Sequence, residues 1–249
     1  MTTLSWRIEH FDELPSTNTE LVTRWREGEV AGAVLVTDFQ LAGKGRRDRE
    51  WMAPPKSSLL CSVLIEVHSS EAASFVPFSA ALATKNALES LMNISVGMKW
   101  PNDLLVGEKK LAGILSEYLI TGDRQAVVVG IGVNLTYAGP EQVRATSVSD
   151  EVGSAPAPQV LLEALLEELS HRLELLESEA GRKELRAEYE ASLSTLGQVV
   201  NVTMGDRVVS GFAQGIDKTG QLIVATTEGE VHCNVGDVIH VRPVTEPSL

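Results

Sequence analysis

Residues 38–51, DFQLAGKGRRDREW, place four cations, Lys44, Arg46, Arg47 and Arg49, within six residues of a chain whose formal net charge is −13. Gly43 and Gly45 interleave with them, so the backbone can fold tightly around a small group. Guanidinium forks and free backbone N–H groups suit carboxylate and phosphate oxygens. An island of positive charge on an acidic background points to an anionic ligand; a solvated basic loop is the bland alternative. A second segment, 99–117, KWPNDLLVGEKKLAGILSE, weighs against that alternative. Pro101 lacks an N–H and fixes its own φ, and Asn102 and Asp103 are natural turn residues. Residues 104–106 read as a strand, Gly107-Glu108 as a hairpin turn and 111–118 as the returning strand. Folding of that hairpin brings Lys99, Asn102, Asp103 and Lys110 toward one end of a sheet. A solvent-facing turn explains any one of these residues and is hard to sustain for all four.

Together, AGKGRRDREW and KWPNDLLVGEKKLAGILSE closely resemble the paired motifs of the biotin protein ligases, GRGRRGRxW and KWPND…KxAGIL.E. Ser16-Thr17-Asn18 before the first and Gly130-Ile131-Gly132-Val133-Asn134 after the second complete four motifs in the family's order, over residues 10–240. The resemblance implies an enzyme that activates biotin with ATP to biotinyl-5′-AMP, using Mg²⁺. It further implies transfer of biotin to a specific lysine of a biotin carboxyl carrier protein domain of a carboxylase. It assigns Lys110 to the biotin carboxylate and the acyl-phosphate oxygens. Gly43, Lys44, Gly45 and Arg46 match the loop that wraps biotin, Arg49 the phosphate-contacting arginine, and Trp51 the loop's terminal anchor or a stacking partner on the nucleotide side. Ser16, Thr17, Asn18 and Gln40 match residues around the ureido ring, a neutral group that hydroxyls and amides suit better than charges; a plain helix cap is the other reading of Ser16 to Asn18. Asn102 and Asp103 match the pair near the nucleotide and its metal, where Asp103 either helps hold Mg²⁺ or accepts a proton from the incoming lysine. Lys99 and Gly113 belong to the same motif, and Asn134 matches an adenylate contact. Two positions depart from the family: Lys44 keeps the usual arginine's charge without its bidentate fork, and Asp48 adds a carboxylate where glycine is usual.

These residues need elements to position them. Ser16-Thr17-Asn18 starts a helix over 19–26, and the apolar run 33–37 is a buried strand delivering Gln40 and the basic loop. A strand at 59–67, a core-facing helix at 74–92, the hairpin above and a strand at 126–135 follow. Residues 150–159 are a surface connection; 160–177 is an amphipathic helix with Leu161, Leu162, Leu165, Leu166, Leu169 and Leu173 on one face, and 182–192 is a second helix. From Leu196-Gly197 the texture changes to five β-rich runs, 199–204, 208–216, 221–226, 231–234 and 238–241, separated by turns at 205–206, 217–220, 228–229 and 236–237, the pattern of a small barrel. The residues alone read as α/β over 1–195 followed by a small β module over 196–249; a mixed sheet with flanking helices (α/β, α+β) is what the resemblance implies for the first. The family resemblance makes the first a class II aminoacyl-tRNA synthetase-like catalytic domain and the second an SH3-like barrel.

The bulk numbers are those of a globular chain, 43% hydrophobic and 22% charged. No apolar run is long enough to span a membrane, and the N-terminus lacks the pattern of a secretory signal, so a cytoplasmic location is expected. Cys61 and Cys233 are far apart and without metal-ligand spacing, hence free thiols. The acidic balance argues against binding DNA, since phosphate affinity comes from Lys and Arg. Ser16 lies so near the start that a winged helix would not fit before it, so a ligase without a repressor function is expected. A lipoate or octanoyl ligase is the nearest rival, but its long apolar acyl chain does not require the arginine loop. A non-catalytic biotin sensor would not require phosphate ligands such as Arg49 and Lys110. A homodimer is possible.

Overall fold

Three apolar runs form the middle of the molecule. AVLVT, SLLCSVLIE and RQAVVVGIGVN become strands β2 (Ala33–Thr37), β3 (Ser58–Glu66) and β7 (Arg124–Asn134), where β-branched residues pack well on a pleated surface. In this computed structural model, which describes residues 5–47, 49–234 and 237–240, they lie at the centre of a seven-stranded sheet of order β1-β2-β3-β7-β6-β5-β4. The flanking strands are β1 (Arg7–Phe11), β4 (Gly97–Lys99), β5 (Asp103–Val106) and β6 (Lys109–Thr121). The β1–β2 pair is parallel and the other pairs are antiparallel, so the sheet is mixed.

Alternation along the strands divides the sheet into two unlike faces. Leu59, Cys61, Val63 and Ile65 of β3, with Val127, Val129, Ile131 and Val133 of β7, join one core. That core is covered by helices α2 (Ser70–Met92), α4 (Pro158–Leu175) and α5 (Glu179–Ser192). The leucine stripe of α4 is buried there as its spacing predicts, and each fully buried leucine contributes about 1.5–3 kcal/mol. On the opposite face Leu35, Leu64, Ala126 and Val128 pack under Leu21, Val22 and Trp25 of α1 (Thr17–Arg26). Helix α1 covers only one end of that face. Beyond it the same face of β7 continues as Gly130, Gly132 and Asn134, and there the sheet is open.

The C-terminal segment forms a second, antiparallel sheet of order β11-β10-β9-β8-β12, from β8 (Val199–Met204), β9 (Arg207–Ile216), β10 (Leu222–Thr226), β11 (Gly229–Cys233) and β12 (Asp237–His240). Among the described residues no β11–β12 pairing closes it into a barrel. It is fixed to the rest of the chain by buried Trp100, just after β4, whose indole N–H donates to Gly220 O at 3.1 Å, and by Glu190 of α5, whose carboxylate accepts from Ile216 N at 2.8 Å.

Most expected elements lie within one to four residues of their predicted bounds. Two strands and a short helix had no signal. β1 is an edge strand with almost every side chain exposed, and β4 is three residues long. Asp150–Val152, read as connection, belong to α3 (Val148–Val152), capped by Ser147. Asp48, the turn residue Gly236 and Val241 lie outside the described residues. No helix among those described is long and apolar enough to cross a membrane.

Candidate active site

Strand register draws the floor of a cleft. Across the open face, Lys99, Asp103, Gly113, Gly132 and Leu60 are successive cross-strand partners, and Leu115, Gly130 and Ser62 form the next row. The glycines make room for side chains arriving from above. A Cβ on Gly132 would lie 2.7 Å from two Trp51 ring atoms, and one on Gly113 would lie 3.0 Å from a third. On Gly130 it would meet Asn18 Oδ1 at 2.2 Å. Trp51 and Asn18 are thus seated directly on bare sheet backbone.

Trp51 closes the basic loop as a small hairpin. Its backbone N–H donates to Gly43 O at 2.9 Å, Gly45 N donates to Arg49 O at 2.6 Å, and the Lys44 and Glu50 backbones pair in antiparallel register. The indole N–H is buried without a protein acceptor. Arg46 reaches across to Asn102 Oδ1 at 3.2 Å, while Asn102 Nδ2 donates to Ile114 O at 2.9 Å. Arg47, in the left-handed region at φ 54°, donates to Thr203 O of β8 at 2.7 Å. The loop is therefore tied both to the KWPND turn and to the C-terminal sheet.

Lys110 stands at the centre of the cationic end. Its ammonium is 2.6 Å from Asp103 Oδ1 and 5.5 Å from the Trp51 ring centre, the latter within cation–π range. Behind this pair, buried Tyr189 donates to Pro101 O at 3.3 Å. Burial, reinforced by the Asp103 charge, pushes its phenol well above the usual range, so it stays neutral.

The other end of the cleft is polar and uncharged at its surface. Ser16 caps α1, accepting from Thr19 N at 3.4 Å. Gln40 Oε1 accepts from Thr17 N at 2.9 Å and lies 3.2 Å from Thr17 Oγ1. The fully buried Ser62 hydroxyl lies 2.7 Å from Thr17 Oγ1 and 2.6 Å from Asn18 Oδ1. Asn18 Nδ2 donates to Leu115 O and Glu117 Oε1, both at 3.2 Å. Both donors of Asn18 are thereby used within the protein, so it holds the wall together, while Gln40 keeps its NH₂ group for the cleft.

Asn134 plays a similar part for the segment that follows it. Its Nδ2 lies 3.0 Å from Thr146 O, 3.2 Å from Ala138 O and 3.5 Å from Lys110 O. Residues 144–146 run beside Lys110, which donates to Arg144 O at 3.0 Å and whose carbonyl accepts from Thr146 N at 2.9 Å. Arg144 ion-pairs with Glu108 of the hairpin turn. Together these walls enclose a cleft of about 960 Å³.

That cleft is lined by every predicted site residue except Gly43, which instead shapes the loop behind Trp51. Sequence reasoning missed Ser62, Glu108, Arg144 and Thr203. Ser62 sits in a strand like any core serine, and only its cross-strand position facing Gly130 marks it. Arg144 and Thr203 come from segments with no motif. Cys61, on the strand that borders the cleft, is no nucleophile: its side chain lies in the helix-covered core, and burial pushes its thiol up to about 12. Among the described residues no three His, Cys, Asp or Glu side chains cluster as a metal site. Asp103 is the carboxylate beside Lys110, enough for one ligand to a cation carried by a phosphate substrate.

Residues 11–134 match the biotin/lipoate A/B protein ligase family, and residues 195–241 match the biotin protein ligase C-terminal domain. The chain is 34% identical to a biotin–[acetyl-CoA-carboxylase] ligase of Mycobacterium tuberculosis, covering 95% of this chain and 90% of that one. Identity is also 34% to the enzyme of that name from Paracoccus denitrificans, over 86% of this chain and 92% of the relative. Among solved structures, a biotin protein ligase from Aquifex aeolicus in complex with biotin and ATP superposes with a TM-score of 0.78 at 27% identity, over 95% of this chain and 99% of that one.

Proposed function

The chain belongs to the biotin/lipoate A/B protein ligase family, and we infer from the polarity of its cleft that it is a biotin ligase. It activates biotin with ATP and transfers it to a biotin-dependent carboxylase. One observation carries the substrate: the cleft has a neutral hydroxyl–amide end (Ser16, Thr17, Gln40) and a cationic end (Lys110, Arg46, Arg49). Biotin has the same two ends, a neutral ureido ring and a carboxylate. A dithiolane or a plain acyl chain would offer no acceptor to the Gln40 NH₂ group, whose oxygen is already engaged by Thr17, and an unmet buried donor is costly.

In the first half-reaction a biotin carboxylate oxygen forms a bond to the α-phosphorus of ATP. The bond from that phosphorus to the bridging oxygen breaks, and pyrophosphate leaves with the electron pair. Both reactants are anions; each pair of unit like charges at about 4 Å costs about 4 kcal/mol at an effective dielectric near 20. Fixed cations must offset several such pairs. Lys110 is the residue we assign to the attacking carboxylate and α-phosphate, with Asp103 orienting its ammonium until substrates arrive. Arg46 and Arg49 close over the anions from the loop, and Lys99 adds charge from the adjoining strand. Trp51 packs along the ligand, and its buried indole N–H gains an acceptor there. Asn134 acts through the 138–146 segment that it ties down, and Asn102 acts through Arg46. Asp103 would supply one oxygen ligand to a Mg²⁺ carried by ATP, and that cation would neutralise triphosphate charge.

In the second half-reaction the neutral amine of a carrier lysine attacks the acyl carbon, the acyl–oxygen bond to AMP breaks, and AMP leaves with that pair. The amine's proton passes to Asp103 once Lys110 has turned to the phosphate. The acceptor is a biotin carboxyl carrier domain, and the acidic balance of the chain supports a ligase without affinity for DNA. Mass spectrometry of an isolated carrier domain after incubation with enzyme, biotin and ATP tests this. One biotinyl adduct on one lysine is expected, and an unmodified carrier would overturn the reading.

A further inference from the structure

Beneath the neutral end of the cleft runs a hydrogen-bonded relay, Glu117–Asn18–Ser62–Thr17, whose two outer strands carry no signal of it in sequence. We propose that Ser62 is a positioning residue for biotin, which together with Glu117 fixes Thr17 as a hydrogen-bond acceptor toward the ureido ring. This role rests on biotin being the ligand of that end, and it supplies the device that sets the polarity of recognition there.

Direction along the relay follows from which atoms can donate. Asn18 Nδ2 faces two pure acceptors, Leu115 O and the Glu117 carboxylate, both at 3.2 Å, so turning the amide end for end would set oxygen against oxygen. Its Oδ1 therefore faces Ser62 Oγ at 2.6 Å, and Ser62 must donate its one proton there. Ser62 Oγ is left with lone pairs, 2.7 Å from Thr17 Oγ1. The Thr17 proton is drawn inward, to Ser62 or to Gln40 Oε1 at 3.2 Å. What Thr17 Oγ1 then offers the cleft is a lone pair. A cyclic urea brings N–H groups that need such an acceptor, whereas a dithiolane or an acyl chain brings none. The relay is held as well as directed. Ser62 is fully buried, Thr17 and Asn18 are nearly so, and Asn18 Oδ1 rests on bare Gly130 backbone, where a Cβ would stand 2.2 Å away. Burial keeps water from competing for these bonds and strengthens each of them.

Calorimetry with biotin alone, without ATP, would compare the parent protein with Ser62→Ala, Thr17→Val and the double variant. Ser62→Ala frees the Thr17 proton to turn toward the cleft, and loss of one directed hydrogen bond raises Kd about threefold to tenfold. In the Thr17→Val background the same change should alter Kd by less than about twofold, because the atom it acts through is gone. A serine that only supports the fold would shift Kd by the same factor in both backgrounds. Ser62→Ala also leaves Asn18 Oδ1 without a donor in the interior, so Glu117 supplies a second route from the part-exposed end of the relay. Glu117→Leu should raise Kd in the same direction, and Glu117→Gln, whose carbonyl can still accept from Asn18, should stay near the parent. An unchanged Kd in Ser62→Ala, or equal factors in the two Thr17 backgrounds, would overturn the role of Ser62; an unchanged Kd in Glu117→Leu would overturn that of Glu117. Absence of biotin binding by the parent protein would instead overturn the proposed function, and this inference with it.

Discussion

Gly132→Ala is the most economical way to test whether the floor of the cleft holds the basic loop shut. The new methyl would stand 2.7 Å from two atoms of the Trp51 ring, so the ring must retreat by roughly 0.7 Å to regain an ordinary 3.4 Å contact. Retreat is restricted because Trp51 also lies on Gly113 and its N–H is held by Gly43 O. Forcing one extra methyl into such a contact costs about 1–3 kcal/mol. The central strand β7 pairs on both sides along its length, whereas the loop hairpin is short, so the loop yields. The closed form then loses about 1–3 kcal/mol, which lowers retention of biotinyl-AMP by about 5- to 150-fold. Gel filtration after a single round of activation, with the adenylate remaining on the protein quantified, reads this. The melting temperature should move little, because the core beneath is untouched. Trp51→Ala removes the clashing ring, so the double variant should be no worse than Trp51→Ala alone. Parent-like retention in Gly132→Ala, or simple additivity in the double variant, would refute the reasoning.

Lys110→Ala should abolish pyrophosphate release while leaving thermal stability nearly unchanged, since the partly exposed Lys110–Asp103 pair contributes little to folding; substantial release would remove its central role. Arg46→Gly should let the adenylate escape, seen as biotinylation of unrelated proteins added to the assay, and selective labelling would show that Arg46 does not close the site. Acid should weaken the C-terminal sheet through Asp217. Burial alone would raise its pKa, but hydrogen bonds from His232, Thr219 and the Gln221 and Thr219 N–H groups outweigh that and hold it at about 2. A carboxyl held below its unfolded value of about 3.9 stabilises fully above that pH and loses its contribution as pH falls toward 2. Urea midpoints between pH 5 and pH 2 should therefore fall less steeply in Asp217→Asn than in the parent; identical slopes would contradict the shift.

The hairpin β5–β6 was legible because Gly107 punctuates two apolar runs, and α1 because Ser16 supplies a cap just before Leu21, Val22 and Trp25. The GIGVN run was legible as a strand, but its meaning lay in phase. Alternation sends Ile131 and Val133 to the helix-covered core and leaves Gly130 and Gly132 on the open face, under Asn18 and Trp51. Phase relative to a neighbour is a property of register, which a single strand's sequence does not carry. Asn18 and Asn134 resembled ligand contacts by position, yet their amide donors are used on Leu115, Glu117, Ala138 and Thr146. Such saturation is visible only once the acceptors have coordinates. β1 was missed because an edge strand exposed along RIEHF has no apolar alternation to detect. Arg144 was missed because it enters the cleft from a segment whose own residues form no motif.

The central claim is that one cleft joins a neutral ring-recognition end to a cationic activation end and thereby commits this chain to biotin. The direct measurement is pyrophosphate release from ATP and Mg²⁺ with biotin, lipoate or octanoate supplied separately and no carrier present. Release with biotin alone is the predicted result. Release with lipoate or octanoate and none with biotin would contradict the account, because the Ser16–Thr17–Gln40 wall would then face a group with nothing to bond.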